Sequence, residues 1–567
     1  MYLEAPQLPP DNQLEADVAI VGAGPAGIVL ALELAEAGRR VLLIDSGGHS
    51  FDPETQQLGE TAGRDSYHAP ASLTTRRQIG GASNLWAGRC VPFDPIDFQP
   101  RRIAGYARWP VSYEELREYF TRAGRWFVCG DPVFDAEEIP SLAGRSLIPG
   151  WPGGAIRATA LERWSLPTNF GHRYHSRLKL SRLITVATKL TCTEIVCNSS
   201  GSGVRYLIAQ TLSRNRVFIR ASCYVLACGG LESTRLLFAS NATHREGIGN
   251  HSGHLGRWYM GHVESRIANV HFRTPPQETL YDYERDQAGV YVRRRFSFAP
   301  EFCLEHDLPN AVMWLNNPEL GEPSHRNGVL SFIYLTLTSP LGPRLVSEAI
   351  RLGQVGAERP SSRREHMANV LRELGPTLIF ALDFGYQRFV KRGRKPPGVF
   401  VRNPANIYPL KYHGEHLPHY HSRVVPTHER DALGMPRLRT EMRFEDSDFD
   451  GALRAHRHFD GYLREHKLGH LEFVGGDDPD STIRRQVFGG YHQAGTTRMA
   501  AEPSEGVLDP NLAVHGFEDL FVASSSAFVT SSQANTTFMI VVFALRLADH
   551  LRRGLPQAKA QLLASRP

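Results

Sequence analysis

The run Val18-Ala-Ile-Val21, Gly22-Ala-Gly24-Pro25-Ala26-Gly27 and the Ala/Leu/Glu-rich stretch behind it constrain the fold more than any other feature of the chain. An apolar β-branched strand enters a glycine turn that opens a helix, which reads as the first half of a βαβ unit. The glycines have separate tasks. Gly22 permits the tight turn, Gly24 lets the backbone approach a pyrophosphate, and Gly27 lets helix and strand pack closely. The helix aims its free N–H groups and positive dipole end at the phosphates. A second strand, Val41-Leu-Leu-Ile44, ends in Asp45, 23 residues after Gly22, where a carboxylate can take ribose hydroxyls.

A chain of 567 residues exceeds what one hydrophobic core supports, so two domains are expected. Its 41% hydrophobic and 22% charged residues are ordinary for a globular protein, and a net charge of +5 does not argue for nucleic acid. Arg351 to Lys411 is locally basic, with Arg363-Arg364 and Lys391-Arg-Gly-Arg-Lys395. It reads as a solvated surface loop or flap, or as the site of an acidic partner or anionic substrate. The seven cysteines are odd in number and match no metal framework, which suggests reduced, buried thiols in a cytoplasmic protein. The first residues lack the basic and apolar regions of a signal peptide. With no run of about 18 uncharged apolar residues, neither a transmembrane helix nor a membrane partner is expected.

The organisation suggests a dinucleotide domain assembled from separated segments: 1–115, 186–268 and 486–556. A connecting or lid segment, 116–185, and a substrate-binding domain, 269–485, fill the intervals. Ser112-Tyr-Glu-Glu115 is a capping box opening a helix that ends near Phe127. Strands near Leu190–Ile195, Val204–Thr211 and Arg216–Ile219 lead to Tyr224-Val-Leu-Ala-Cys-Gly229-Gly-Leu-Glu-Ser-Thr-Arg235, another strand, glycine turn and helix. Val290–Phe298 alternates like a sheet strand, and Ser422–Thr427 with Arg437–Phe444 suggests an antiparallel pair. Phe449, Leu453, His456, Phe459 and Leu463 mark one face of a helix. The expected fold is therefore an α/β Rossmann-like domain of discontinuous segments plus an α+β domain with an antiparallel sheet.

Together these residues make the chain similar to the glucose–methanol–choline (GMC) oxidoreductases. The resemblance rests on the Gly22–Gly27 turn with Asp45, the loop Gly80-Gly81-Ala-Ser83-Asn84, the Ala227–Arg235 motif, and a terminal run. In that run Tyr491-His492-Gln-Ala-Gly-Thr-Thr-Arg-Met499, Asp509–Gly516, Leu520–Ala523 and Ser531–Thr537 follow in the family's order. It implies FAD, a dinucleotide domain with a substrate domain, and oxidation of an alcohol to a carbonyl. Residues 84–89, 93–98 and 422–434 resemble the bacterial sugar-oxidising branch, similar to pyranose oxidase, sugar 3-oxidases and fructose-dehydrogenase-like flavoproteins. His492 matches the family's catalytic base and Asn535 its partner, with hydride passing to flavin N5. A neutral imidazole suits deprotonation near pH 7, and an amide can hold the developing alkoxide. The resemblance further places the cofactor against Gly22, Gly24, Pro25, Ala26, Gly27, Asp45, Ser46, Gly81, Ser83, Asn84, Leu85, Gly88, Ile195, Ala227, Gly229, Ser524, Ser525, Asn535, Thr536 and Thr537. Relatives with covalent FAD commonly carry His where this chain has Leu85, so non-covalent FAD is expected. Ser524 stands where many relatives carry Asp, implying neutral contacts from that loop.

Other histidines read as ordinary surface or core residues, including His413, His416, His419, His421, His456 and His458. The first four lie in a Pro-containing stretch without helical i,i+4 pairing, so no metal is expected, and a place bordering the substrate cavity is the alternative. His262 is expected near the cavity, either in the site or as structure. The favoured substrate class is a sugar, glycoside, aminoglycoside or cyclitol-like polyol, with O2 or another acceptor receiving the electrons. The alternative is a lyase on the same fold that keeps FAD for structure. Loops 50–75 and 340–420, which would set specificity, carry no readable code.

Overall fold

The computed structural model describes residues 1–554 apart from 64, 104–107, 167, 347–350, 352–353, 356–360 and 475–477, so the last two positions of the expected third segment lie outside it. A six-stranded sheet forms its centre, in the order Tyr2–Glu4, Ile184–Thr188, Val41–Ile44, Val18–Val21, Cys223–Leu226, Leu520–Val522. All its pairings are parallel. The four strands from Val41–Ile44 to Leu520–Val522 are buried at every residue, which is why they read as unbroken apolar runs and not as alternating ones. Helix Pro25–Glu36 follows the glycine turn and packs against the terminal helix Thr537–Gly554. A second sheet holds the antiparallel strands Thr191–Cys197, Val204–Gln210 and Arg216–Arg220, with Asn12–Glu15 parallel at its edge. The chain thus has the FAD-type Rossmann domain that the sequence implied.

The other unit is an antiparallel sheet in the order Gly469–Phe473, His262–Phe272, Ile407–Glu415, Ala311–Leu315, Tyr291–Phe298, Ile156–Trp164, Arg89–Cys90. Helix Asp446–Glu465 lies on it and buries Phe449, Leu453, His456, Phe459 and Leu463, the face read from their spacing. The stretch 116–185, expected as a connection, contributes Ile156–Trp164 to this sheet and Ile184–Thr188 to the parallel one. The helix expected from Ser112 to Phe127 is two: Tyr113–Arg117, capped by Ser112 Oγ accepting from Glu115 N–H, and Phe120–Phe127. Phe120 and Phe127 both pack on Phe538, at 5.5 and 5.6 Å between ring centroids. Within the basic stretch read as a loop, the described residues form helices Arg363–Arg372 and Leu374–Gly385, packed on helix Gly328–Leu337.

Two sequence motifs prove to be one structural joint. Arg235, closing the Gly229–Arg235 turn and helix, donates to Asp431 Oδ2 at 2.7 Å, to Leu58 O and to Pro436 O, both at 2.6 Å. Asp431 Oδ1 accepts from Leu433 N–H and Met435 N–H, closing the turn of the hairpin Arg423–Arg430/Pro436–Glu441. Both side chains are shut off from water (2% and 0% exposed), so removing Asp431 leaves the buried guanidinium with only the longer 3.5 Å pair to Glu232. Asp431→Ala is expected to cost roughly 3–5 kcal/mol, measured as a lowered midpoint of denaturant unfolding; a midpoint unchanged within error would refute this role for the pair.

Candidate functional site

The glycine turn is too tight for any side chain. Gly22 has φ +105°, and a Cβ there would lie 2.5 Å from Ala227 O; a Cβ on Gly27 would lie 1.9 Å from Gly22 O. Gly24 is different: a Cβ there would meet nothing nearer than Gly81 Cα at 4.0 Å. The backbone at Gly24 therefore borders open space, next to a helix whose N-terminus has no side-chain cap and begins with Pro25. That is the shape and polarity a pyrophosphate needs. Asp45, buried, is fixed by N–H donors from Ala23 and Gly47, both at 2.8 Å. Burial pushes its carboxyl upward, and the two amides and the Arg77 guanidinium oppose that. Ser46 Oγ accepts from Arg77 at 2.9 Å.

The remaining cofactor candidates divide into those that face the cradle and those that build it. Gly81 has φ +52° and sits on Gly24. Ser83 and Asn84 are consumed in bracing that loop: Ser83 Oγ donates to Gly80 O and accepts from Phe170 N–H, and Asn84 donates to Gly81 O at 2.8 Å. Leu85 is buried, and Gly88 (φ +80°) packs on Ser165. Ile195 gives its N–H to Ser240 Oγ at 2.8 Å, so that amide is already paired. Ala227 backs the turn at Gly22, and Gly229 (φ +86°) opens helix Gly230–Ala239 with nothing near it. Ser524 caps the short turn Ser525–Ala527 by accepting from Ser526 N–H, and Ser525 Oγ donates to Gln493 O at 2.5 Å. Both hydroxyls therefore serve the protein itself. Thr536 O starts the last helix by accepting from Ile540 N–H, and Thr537 is its first residue.

At the far end of the cradle His492 and Asn535 meet. Asn535 Nδ2 donates to His492 Nε2 at 2.7 Å, and His492 Nδ1 lies 3.0 Å from His262 Nδ1. An amide nitrogen only donates, so His492 Nε2 is the bare nitrogen. A neutral His492 then carries its proton on Nδ1 and donates it to His262, whose own proton sits on Nε2, buried and without a hydrogen-bond partner. Asn535 Oδ1 is likewise buried and unpaired. Bare Nε2 and free amide oxygen mark the spot where a hydroxyl would bind.

Register explains the meeting. Met260 and Ala494 form an antiparallel bridge, which sets His262, two residues onward, opposite His492, two residues back. In the antiparallel sheet Glu264 is the cross-strand partner of His413. His262 stacks on His413 at 4.4 Å between ring centroids, and His413 Nδ1 donates to Gln533 O at 2.7 Å. Gln533 and Asn535 thus tie the terminal run to the sheet. His262 and His413 belong to the site, and so does Glu264, which the sequence did not flag. No spacing in the chain announces them, because their proximity comes from strands about 150 and 230 residues apart in number.

The charges lean one way. Burial, and then the neighbouring His413, pushes His492 down to about 3, so its imidazole is neutral over the working range. His262 is held well below the ordinary histidine value by the same causes, burial first and His413 next. Burial alone would raise the Glu264 carboxyl; the Lys411 ammonium, 2.5 Å away, and His413 outweigh it and keep it ionised. Arg89 and Arg293 lie over the Trp314 ring at 4.6 and 5.0 Å, and Trp314 neighbours His413 at 5.9 Å. Both guanidiniums pair with Glu162. His262, His413 and His492 bring three nitrogens together, as do His416, His419 and Asp448 with their ligand atoms. In the second group His419 Nε2 pairs with Asp448 at 2.7 Å and His416 Nε2 with Arg443 O at 2.8 Å. In the first group His492 pairs with His262 and Asn535 and His413 with Gln533 O, while His262 Nε2 has no partner.

Residues 418–544 match the family model described as GMC oxidoreductase, and residues 17–297 match the one described as FAD dependent oxidoreductase. The chain is 21% identical to 2-methyl-1,2-propanediol dehydrogenase of Mycolicibacterium austroafricanum, with 95% of each chain covered. It is 25% identical to 6'''-hydroxyparomomycin C oxidase of Streptomyces lividus over 42% of this chain and 53% of that one. Its fold is similar to that of pyridoxine 4-oxidase from Mesorbium loti (TM-score 0.50, 18% identity, 95% of this chain and 99% of the other). An FAD-dependent oxidoreductase from Chaetomium thermophilum is similar too, with TM-score 0.52, 14% identity and the same coverage. No described helix is long and apolar enough to cross a membrane.

A base whose protonated form is disfavoured this strongly keeps its lone pair far into acid. Because the value is lowered, the active form is present above about 3 and is lost only as pH falls through it. The kcat/KM profile is therefore expected to stay level from pH 8 to about 5, with no acid limb near the unperturbed histidine value of ~6.5. A limb at that value would show that the imidazole is not held neutral.

Proposed function

We propose, for a chain that belongs to the GMC oxidoreductases and acts on alcohols with FAD, that the substrate is a sugar, glycoside, aminoglycoside or cyclitol-like polyol. The observation that carries this reading is the bare His492 Nε2 beside the Asn535 amide, set in a polar wall with one large aromatic ring. Glu264 with Lys411, and Glu162 with Arg89 and Arg293, supply the polar character of this wall, and the Trp314 ring, covered by the two guanidiniums, backs His413. A relative named for 6'''-hydroxyparomomycin C supports an oxygenated ring substrate. Within the class, three cations against two carboxylates in that wall favour a neutral sugar over a polycation.

FAD bound in the cradle supplies the oxidant. The chain's own residues handle the proton. His492 Nε2 accepts it from the substrate hydroxyl, and the Asn535 amide N–H turns from His492 to the substrate oxygen, where negative charge develops. His262 accepts from His492 Nδ1–H and so fixes the ring with Nε2 facing the hydroxyl. The ionised Glu264 favours a proton on the histidines and lowers the cost of the transient imidazolium. Leu85, apolar and buried where relatives attach the cofactor, leaves FAD non-covalent.

The test is anaerobic mixing of the yellow protein with a panel of sugars, glycosides, cyclitols, aminoglycosides and simple diols. Bleaching of the flavin band by a polyol is expected, and its return on admitting air would name O2 as the acceptor. A flavin that only simple alcohols bleach would refute the polyol reading; turnover of a compound without bleaching would favour a lyase. His492→Ala is expected to keep its FAD and lose about 10²–10⁴-fold in kcat, and Asn535→Ala about 10²-fold or more. Acid precipitation should release the flavin into the supernatant.

A further inference from the structure

The helical run from Arg363 to Val390 presents its apolar side to water. Leu371 is 63% exposed, Leu378 53%, Ile379 71%, Leu382 75%, Phe389 73% and Val390 65%. Leu371 ends the preceding helix, and Leu378, Leu382 and Phe389, with their neighbours Ile379 and Val390, fall three to seven residues apart, along one side of helix Leu374–Gly385 and of the turn Tyr386–Val390 that continues it. The opposite side is already used: Thr377 is buried, Glu373 accepts from Gly328 N–H, and Phe380 packs on Phe332. The exposed side is therefore a second apolar face and not a misdirected core. Isolated surface leucines need no account, but a continuous row of this kind does.

Charge says what covers it. Beyond Asp383, which is paired with Gln387, the sequence holds no Asp or Glu up to Gly414, yet it carries Arg388 within the apolar row and Lys391, Arg392, Arg394 and Lys395 directly after it. Three of these are tied to the protein through main-chain carbonyls: Arg388 to Leu345 O at 2.9 Å, Arg394 to Val128 O at 2.7 Å, and Lys395 to Arg388 O at 2.6 Å. A carbonyl fixes a cation in place without cancelling its charge. Exposed apolar side chains bordered by Arg388, Lys391, Arg392 and Lys395 match the boundary between acyl chains and anionic headgroups, while Arg394 turns inward to Val128 O and Trp164 O, near Asp286.

We propose that residues 371–395 seat this enzyme on the surface of an anionic lipid bilayer, with the leucine and phenylalanine row in the acyl boundary and Arg388, Lys391, Arg392 and Lys395 at the headgroups. A second copy of the chain is a poorer occupant, since the basic end offers no carboxylate to meet its own kind. The contact adjoins the catalytic wall. Arg394 reaches Trp164 O, and Gly398 lies against the Tyr283 ring, over which Arg293 of the wall is placed at 5.5 Å. The surface lies in the plane of the bilayer and needs no spanning helix.

The experiment is flotation of the FAD-loaded full chain with phosphatidylcholine vesicles containing or lacking one-quarter phosphatidylglycerol. Expected is binding to the anionic vesicles, at least tenfold weaker binding to pure phosphatidylcholine, and release as salt rises. The surface variant Leu378→Ser/Ile379→Ser/Leu382→Ser is expected to lose binding at least tenfold while keeping bound FAD and turnover of a soluble alcohol; Lys391→Glu/Arg392→Glu is expected to lose the preference for anionic vesicles. No binding by the wild type overturns the proposal, as does equal binding by the triple variant. A wild-type dimer in sedimentation velocity that the triple variant dissolves, without vesicle binding, assigns the face to self-association and overturns it as well.

Discussion

The contact between the turn at Gly22 and the carbonyl of Ala227 fixes the position of the rest of the site. Strands Val18–Val21 and Cys223–Leu226 are neighbours in the parallel sheet, and with no side chain at Gly22 their ends lie close. Any larger residue would push the second glycine turn away, and with it the helix Gly230–Ala239. That helix receives Gln493, whose Oε1 accepts from Leu231 N–H, and Gln493 is the neighbour of His492. One missing Cβ thus sets the distance between the cofactor cradle and the base.

The second constraint is the handling of charge in a closed space. Burying imidazoles together makes each a poorer acceptor of a proton at rest, since desolvation and a neighbouring positive charge both act against the charged form. The structure answers with an ionised carboxylate, Glu264, held by Lys411 beside His413. The result is an imidazole, the proposed base, that is neutral in the ground state and stabilised once charged. That arrangement suits a proton taken only while the alcohol is being oxidised.

Between the two domains the joints are polar and buried. Arg235 with Asp431, and Arg101 with Glu415, bind segments separated by hundreds of residues. Such pairs add little net stability compared with apolar packing, yet breaking one by removing a partner is costly. They hold the hairpin and the antiparallel sheet in one orientation over the cradle, a condition for placing His262 against His492 to within a hydrogen bond.

Local chemistry made part of this legible in the sequence. A glycine turn after a buried strand and a carboxylate after the next strand each depend on neighbours in the chain, so cofactor and fold class could be read directly; the His492 and Asn535 motifs, equally local, carried the resemblance on which the proposed base rests. The helix face from Phe449 to Leu463 was legible for the same reason, since periodicity is local. Glu264 was not, and for His413 and His262 only nearness to the cavity was legible, because strand register and one isolated bridge bring them to His492. The helices at 363–385 also escaped notice: their apolar residues face water, so the stretch lacked the amphipathic logic of a core helix and showed only its basic charge. Sequence alone pointed to the cofactor, and its family resemblance to His492 as the proposed base. Tertiary structure decided what surrounds that residue, because register, burial and the sum of nearby charges exist only once distant strands have paired.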